Sequence, residues 1–524
     1  MPQPWLPPDG VHRTSRTITV SAGMFKRGEF RCPAADALKA RGYRPVEAVP
    51  RRREWLEHFS LGPFMAACDG RNAGVTGGPV PARPRTAPLH SGLRAWVEHG
   101  IERYDEAFPP DRSCPLSEVP EPWAYRYRPP GPQTVRAEEY RFTVWGRCLA
   151  SADGTVRELR LPVHRIGPVP PPEGFVAAAA LVLAEGAPGA LPERVRIVEF
   201  ALFDGRTRQL FAGSRADALA YYREHGPDAL NEVLNGQEYR PGASCAECAY
   251  TGVCPALRAA PGLLGIEGEG RPRRTWSVTN GRNYRVCPAR DHMRRLRLPT
   301  ADSVERTAAA ERGRALHAYL AHRHGHGVLR PCTAEVPEQW VPDGFDLSDE
   351  ERVLGVHLLR RHAAVCPLRY VKDGTDVRTE PRVVRHDTAT DVVVIAQPDL
   401  LYRDAGSWVW RETKTSVTDR RSSPGLLERY PQLALAVALL ARGDLGGTPS
   451  RTRIELEILR PGGADLEVID PFAPVHRSTA ERILRAMVTE WHQDDHYPPA
   501  PGDSCGRCEV ARWCPETPAD QAAA

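Results

Sequence analysis

One cysteine pattern occurs twice in this chain, and it restricts the fold more than any other feature. Cys245-x2-Cys248-x5-Cys254 lies near the middle, in SCAECAYTGVCPA, and Cys505-x2-Cys508-x5-Cys514 lies near the C-terminus, in SCGRCEVARWCPE. Three thiolates leave a four-coordinate site one ligand short. Each half offers a fourth far upstream, Cys32 in RCPAAD and Cys287 in VCPARD, at nearly equal separations from their triplets. A bridge between such distant positions closes a very long loop and removes unfolded-state entropy. Four thiolates accept zinc, which Cys-x2-Cys pairs alone favour, or iron and sulfur, which one distant cysteine plus a compact triplet favours. Cys68, Cys114, Cys148, Cys332 and Cys366 fall outside both patterns and read as unligated buried thiols.

The repetition extends further. Leu89-His90 opens an amphipathic helix in the first half and Leu316-His317 another in the second, and both halves then reach a strand, a Gly-containing turn and a second strand. A chain of 524 residues is ample for two such units. The Gly/Pro-rich residues 260–274 have the content of a linker, which places the boundary near residue 270. Residues 1–270 and 271–524 are therefore expected to be tandem α/β domains. Each would be a mixed central sheet flanked by helices and closed by a four-cysteine site.

The second half carries chemistry in residues 392–415, VVVIAQPDLLYRDAGSWVWRETKT. The pattern predicts a β-hairpin with Asp399 on the first strand, a turn at Asp404, Ala405 and Gly406, and Glu412-Thr413-Lys414 ending the second. Glu412 and Lys414, two apart, share a face, and Asp399 lies across from them. Converging carboxylates bind a divalent cation, and a neighbouring ammonium holds an attacking water or stabilises charge on phosphorus. Lys414 carries weight because Lys occurs only four times among 70 basic residues. The alternative is an ordinary amphipathic hairpin with charged ends in water. The corresponding first-half stretch, TVWGRCLASADGTVRELRLPV, has Cys148 or Leu149 in place of Asp399 and Arg160 in place of Lys414.

Pro398-Asp399 followed by Glu412-x-Lys414 resembles the PD-(D/E)xK nuclease superfamily. With Gly313-x3-His317 upstream, Gln432 on the next helix, and one cysteine before and three after, the second half resembles the iron-sulfur members of the RecB-like nucleases. Those include AddB-type helicase-nuclease subunits and CRISPR-associated exonucleases. The resemblance implies a restriction-endonuclease-like fold and Mg2+ or Mn2+ held by His317, Asp399 and Glu412 with the Thr413 carbonyl assisting. Lys414 would position the water, and Gln432 would support the site or contact DNA. Ala436 stands where the family's Gln-x3-Tyr pattern has Tyr, a departure that touches substrate contacts near Gln432. Each quartet, Cys32/245/248/254 and Cys287/505/508/514, would hold a [4Fe-4S] cluster, with zinc as the alternative, especially in the first half. The first half would be a catalytically dead copy. The implied activity is metal-dependent DNA hydrolysis on single-stranded or open-ended DNA, in repair, recombination or defence. A helicase is the expected partner, since no G-x4-G-K-[ST] sequence supplies ATPase chemistry here. The reading from another class is a non-catalytic nucleic-acid-binding scaffold, which would have no physical reason to keep the Asp399/Glu412/Lys414 set.

Other features have blander readings. The net charge of +4 neither demands nor excludes a polyanionic partner. No apolar run is long enough to span a bilayer and the N-terminus lacks an export signal, so the cytoplasm is the expected compartment and no membrane is involved. His322, His324 and His326 read as the exposed end of a helix, and His90 as a relic or a packed core group. Arg290, Arg294 and Arg295 are candidate DNA contacts only because they follow Cys287. Glu380 is a candidate further acid or an edge-strand surface residue.

Overall fold

A five-stranded sheet forms the centre of each half in this computed structural model. It describes residues 5–26, 28, 31–47, 52–76, 87–110, 114–119, 123–128, 138–186, 190–268, 270–301, 307–325, 330–369, 371, 376–417, 425–443 and 445–517. The first sheet runs Thr207–Ser214, Arg194–Ala201, Val156–Val163, Arg147–Ser151, Leu116–Glu118. The second runs Gly463–Ile469, Arg453–Arg460, Ser407–Thr415, Leu400–Asp404, Val377–Thr379. In both, the second and third strands of that order are parallel and every other neighbour is antiparallel. A parallel pair needs a crossover, and a helix supplies it each time: Glu173–Glu185 in the first half, Leu426–Arg429 and Pro431–Leu440 in the second.

Those crossover helices are apolar on nearly every side, as FVAAAALVLA and PQLALAVALL require. Each lies between its sheet and a long following helix, Arg215–Leu234 or Pro474–Gln493, so no face of it needs to be polar. Ala177, Ala178, Ala179 and Ala180 of the first and Ala434 and Ala436 of the second are fully buried. Beside each large sheet stands a smaller one. Thr17–Ser21 pairs parallel with Glu139–Thr143, which pairs antiparallel with Ala124–Tyr127. Likewise Arg274–Trp276 pairs parallel with Val392–Ala396, which pairs antiparallel with Val383–Asp387.

Several sequence expectations change. The first strand predicted for the hairpin is two strands in two sheets: Val392–Ala396 lies in the small sheet and Leu400–Asp404 in the large one. The break falls at Gln397-Pro398-Asp399, where Pro398 has no N–H to give to a ladder. Asp399 thus sits at a corner between sheets rather than inside a strand. The turn is as expected, with Ala405 and Gly406 both at positive φ (48° and 84°), the mirror-image geometry that suits a two-residue hairpin loop. Residues 260–274 do not behave as a linker: Ala260, Leu263, Leu264 and Ile266 are buried in the second-half core, and Arg258–Ala259 adds a strand to its small sheet. The Gly-, Pro- and Arg-rich residues 69–88 read as a loop from their sequence, but they begin inside the helix Gly62–Thr76, while residues 77–86 lie outside the described residues. The Pro-rich residues 109–133 read as a connector from their sequence, but they contribute the strands Leu116–Glu118 and Ala124–Tyr127.

The halves share buried surface. Leu93 and Trp96 pack with Met293 and Trp513, and the Trp96 and Trp513 rings meet edge to face at 4.9 Å. His90 caps the helix Ser91–Ala107 through its Nδ1 and places Nε2 2.9 Å from the Tyr497 carbonyl, which makes it a packed structural group. Among the described residues no helix is long and apolar enough to cross a membrane.

Candidate active site

The strand Ser407–Thr415 lies inside the large sheet, and its first seven residues are buried. Alternation divides it. Trp410, Glu412 and Lys414 point to one face, Arg411 and Thr413 to the other. On the first face the Trp410 indole donates to Glu412 Oε1 at 3.0 Å, and Lys414 Nζ lies 3.2 Å from Glu412 Oε2 and 3.7 Å from Asp399 Oδ2. Asp399 is fixed from two further directions, by the Thr413 N–H at 2.7 Å and by His317 Nδ1 at 2.9 Å. His317 comes from the helix Ala308–Gly325. The four residues predicted as the heart of the site thus meet around the corner at Pro398.

Their electrostatics separate the two acids. Burial pushes the Asp399 carboxyl up, but His317, Lys414 and the Thr413 N–H together outweigh it and hold the group below its ordinary value. Glu412 moves the other way. Burial first, then the charge of Asp399, raise it to about 7 against the pull of Lys414 and Trp410. Lys414 and His317 are both raised, because the carboxylates beside them outweigh burial.

Gln432 lies at the margin, where its Oε1 accepts from Arg282 at 2.6 Å. Arg282 is a residue the sequence reading missed. It belongs to the helix Val278–Val286, and its charge and that of Glu412 act on each other. Its signal was available only as a cation before Cys287. Glu380 is exposed, takes a positive φ of 44°, and donates its N–H to the Asp399 carbonyl at 3.1 Å. With His317, Asp399 and Thr413 it lines a small cavity of about 20 Å³. On the other face of the strand, Glu457 accepts from Thr413 Oγ1 and Arg411 Nε, both at 3.2 Å. Arg290 and Arg294 both bind Glu509, and Arg295 reaches the Tyr497 hydroxyl at 3.1 Å, so all three have internal partners.

Each predicted cysteine quartet comes together. Cys32, Cys245, Cys248 and Cys254 line one cavity of about 390 Å³, and Cys287, Cys505, Cys508 and Cys514 line another of about 20 Å³. Backbone N–H groups point at the sulfurs: Arg240 at Cys32 (3.5 Å), Gly242 at Cys245 (3.3 Å), Tyr250 at Cys248 (3.4 Å), Ala500 at Cys287 and Gly502 at Cys505 (both 3.4 Å). Burial, with the neighbouring thiols adding to it, pushes Cys245 up to about 11. Cys68 and Cys148 are core residues, as expected, raised by burial to about 12 and about 11.

In the first half, Glu158 and Arg160 keep the spacing of Glu412 and Lys414, and Arg160 donates to Glu158 at 2.5 Å. The residue across the ladder from Glu158 is Leu149, which offers no carboxylate.

No curated protein matches this chain. Among solved structures it is similar to the protein SSO0001, at 16% identity and a TM-score of 0.24, over 49% of this chain and 95% of that one. It is also similar to a Eubacterium rectale protein described as a candidate exonuclease, at 11% identity and a TM-score of 0.30, over 45% and 86%. Residues 275–515, which contain the whole constellation around Asp399 and the second cysteine quartet, match the family model of the PD-(D/E)XK nuclease superfamily.

Proposed function

We propose that residues 271–524 form a nuclease that hydrolyses DNA phosphodiester bonds with the help of Mg2+ or Mn2+, acting on single-stranded or open-ended DNA. The observation that carries this reading is the meeting of His317, Asp399, Glu412 and Lys414 at one corner of the sheet. The donor set fits a hard cation: one carboxylate is held ionised, and a second is raised to about 7 largely by burial and by the first. Asp399, Glu412 and His317 would hold the cation, with the Thr413 carbonyl assisting. Once bound, it would supply Lewis-acid charge at the scissile phosphate and make water nucleophilic at neutral pH. Lys414, placed against both acids, stabilises negative charge developing on phosphorus. Thr413 N–H and His317 orient Asp399, and Arg282 with Gln432 provides a cationic margin for the phosphate backbone.

Residues 1–270 are, in this reading, an inactive copy of the same unit that binds nucleic acid, guides a strand or docks a partner such as a helicase. The equal strand order and sense of the two large sheets, and of the paired strands beside them, support a duplication. The Glu158-Arg160 pair facing Leu149 supports loss of the acid. Each quartet would hold a [4Fe-4S] cluster, as in the iron-sulfur branch of the RecB-like nucleases. Backbone N–H groups aimed at the sulfurs suit the negative charge that four thiolates keep on either group. Zinc on the same four thiolates is the alternative, above all in the first half. Repair, recombination or defence are the contexts this activity serves.

The test is cleavage of single-stranded and open-ended DNA with Mg2+ or Mn2+ by the full chain and by Lys414→Ala. The variant should lose cleavage and keep DNA binding. Equal cleavage by the variant rejects the assignment.

A further inference from the structure

Behind the catalytic strand the C-terminal ends of two helices come together around four side chains. His324 lies in the last turn of Ala308–Gly325, Cys332 in the segment that follows, His362 in the last turn of Asp349–Val365 and Cys366 just after it. One ligand atom from each lies within 4.8 Å of every other. His324 Nε2 is 3.3 Å from His362 Nε2, 3.4 Å from Cys332 Sγ and 3.9 Å from Cys366 Sγ. Bond lengths of about 2.0–2.1 Å to nitrogen and about 2.3 Å to sulfur put tetrahedral zinc ligands about 3.3 Å apart for N···N and about 3.6 Å for N···S. The spacings agree. We propose that His324, Cys332, His362 and Cys366 form a structural Zn2+ site whose ligands belong neither to the cysteine quartets nor to the acids around Asp399, although His324 and His362 line the same small cavity as Asp399.

The chemistry of the group asks for a cation. His324, His362 and Cys366 are 5%, 1% and 0% exposed, so water is not available to satisfy their polar atoms. His362 Nδ1 lies 2.7 Å from Glu457 Oε1, and Arg411 Nε donates to the other oxygen of Glu457 at 3.2 Å. With the Glu457 carboxylate accepting the Nδ1–H, Nε2, which lies 3.3 Å from His324 Nε2, is the atom that would ligate. This carboxylate–imidazole arrangement is the one that orients histidine on zinc. Two thiolates and two neutral imidazoles balance the charge of Zn2+, and four protein ligands leave no open position, as in a site that holds structure.

Its place in the fold states what it would hold. Leu316 and Leu320 of the first helix pack on Leu358 and Leu359 of the second. The proposed site pins the ends of that pair to Glu457, whose other oxygen accepts Thr413 Oγ1 and Arg411 Nε. The sequence expectation for His324, as an exposed helix end, is corrected by its burial, whereas for Cys332 and Cys366 the proposal replaces the reading as unligated thiols. His326 lies outside the described residues.

The experiment is elemental analysis of the full chain, purified under reducing conditions and dialysed against a chelator. One tightly held zinc per chain is expected, with sulfur and nitrogen ligands in equal number by X-ray absorption at the zinc edge. Cys366→Ser and His362→Asn should each lower bound zinc at least tenfold and Glu457→Gln about 10- to 100-fold, while iron content is unchanged. Asp399→Asn should keep the zinc. The proposal is overturned by a protein that stays zinc-free after incubation with Zn2+, by a Cys332–Cys366 disulfide in the reduced preparation, by zinc retained in Cys366→Ser, or by zinc lost in Asp399→Asn. The absorption measurement on the unsubstituted protein decides the matter even where a cysteine variant does not fold.

Discussion

Replacing Glu412 with Gln should stabilise the metal-free protein at alkaline pH even as it removes a proposed cation ligand. Glu412 is 4% exposed, and burial followed by the charge of Asp399 raises its carboxyl from 4.5 to about 7. An unfolded chain gives up this proton near the ordinary value, whereas the folded chain keeps it until about pH 7. Between those limits the folded state binds the extra proton, so stability falls as pH rises through the window and stays low above it. At about 1.4 kcal/mol per tenfold change in acidity, the ionised group costs the folded state about 3 kcal/mol. In Glu412→Gln the side-chain amide would still accept from the Trp410 indole but would lose the bond from Lys414, worth about 1 kcal/mol. The net gain at pH 8 is about 2 kcal/mol by this reckoning, and near pH 5 it is absent or slightly reversed. Urea unfolding followed by tryptophan fluorescence, at both pH values in chelator, reads the difference. Mg2+ should then stabilise the natural protein by mass action and leave the variant behind, closing the gap. A variant no more stable than the parent at pH 8, or a gap that ignores pH, refutes the electrostatic argument.

Two further substitutions probe packing. At Gly355 an added Cβ would stand 2.0 Å from Cζ2 of Trp340, a ring only 2% exposed. Gly355→Ala should cost about 1–3 kcal/mol in the same unfolding assay, and a neutral result would mean that the helix and ring separate freely. Asp387 is fully buried and accepts the N–H groups of Gly262, Leu264 and Ala389 at 2.8, 2.9 and 3.2 Å. Asp387→Ala leaves these donors unpaired and should cost about 3 kcal/mol, with faster proteolytic cleavage within residues 260–268 as the readout. Unchanged cleavage there would show that Asp387 does not anchor the segment.

How much of this was legible follows from which signals are local. Asp399, Glu412 and Lys414 stand out because strand alternation, a turn and a rare Lys coincide within one short stretch. The cysteine quartets were legible because the same spacing occurs twice. The sheet change at Pro398 was not, because the apolar residues before it and the strand after it read as one run, and only partner strands from distant sequence divide them. Residues 260–266 misled in the same way. Their Gly and Pro content signals a turn, while the burial of Leu263, Leu264 and Ile266 depends on a core built from the other half. The His324/Cys332/His362/Cys366 group escaped because its four members come from two helices and a connecting segment. Its one local trace is His362-x3-Cys366 at a helix end.

The buried charges Arg411, Glu455 and Glu457 show why the motif strand tolerates no slip of register. Sequence alternation alone assigns Glu455 and Glu457 to a solvent face, yet both faces of this sheet are covered. They are buried because Arg411 answers them, at 2.8 Å from Glu455 and 3.2 Å from Glu457. In the observed register Arg411 lies beside Glu455 and Thr413 beside Glu457. A shift of one residue would turn Glu412 toward that pair of carboxylates and Arg411 toward Asp399. Three acids would then share one buried face, and Asp399 would face a guanidinium. The network around Glu457 therefore selects the one pairing in which Glu412 and Lys414 meet Asp399. Fold specificity and the proposed chemistry rest on opposite faces of the same nine residues.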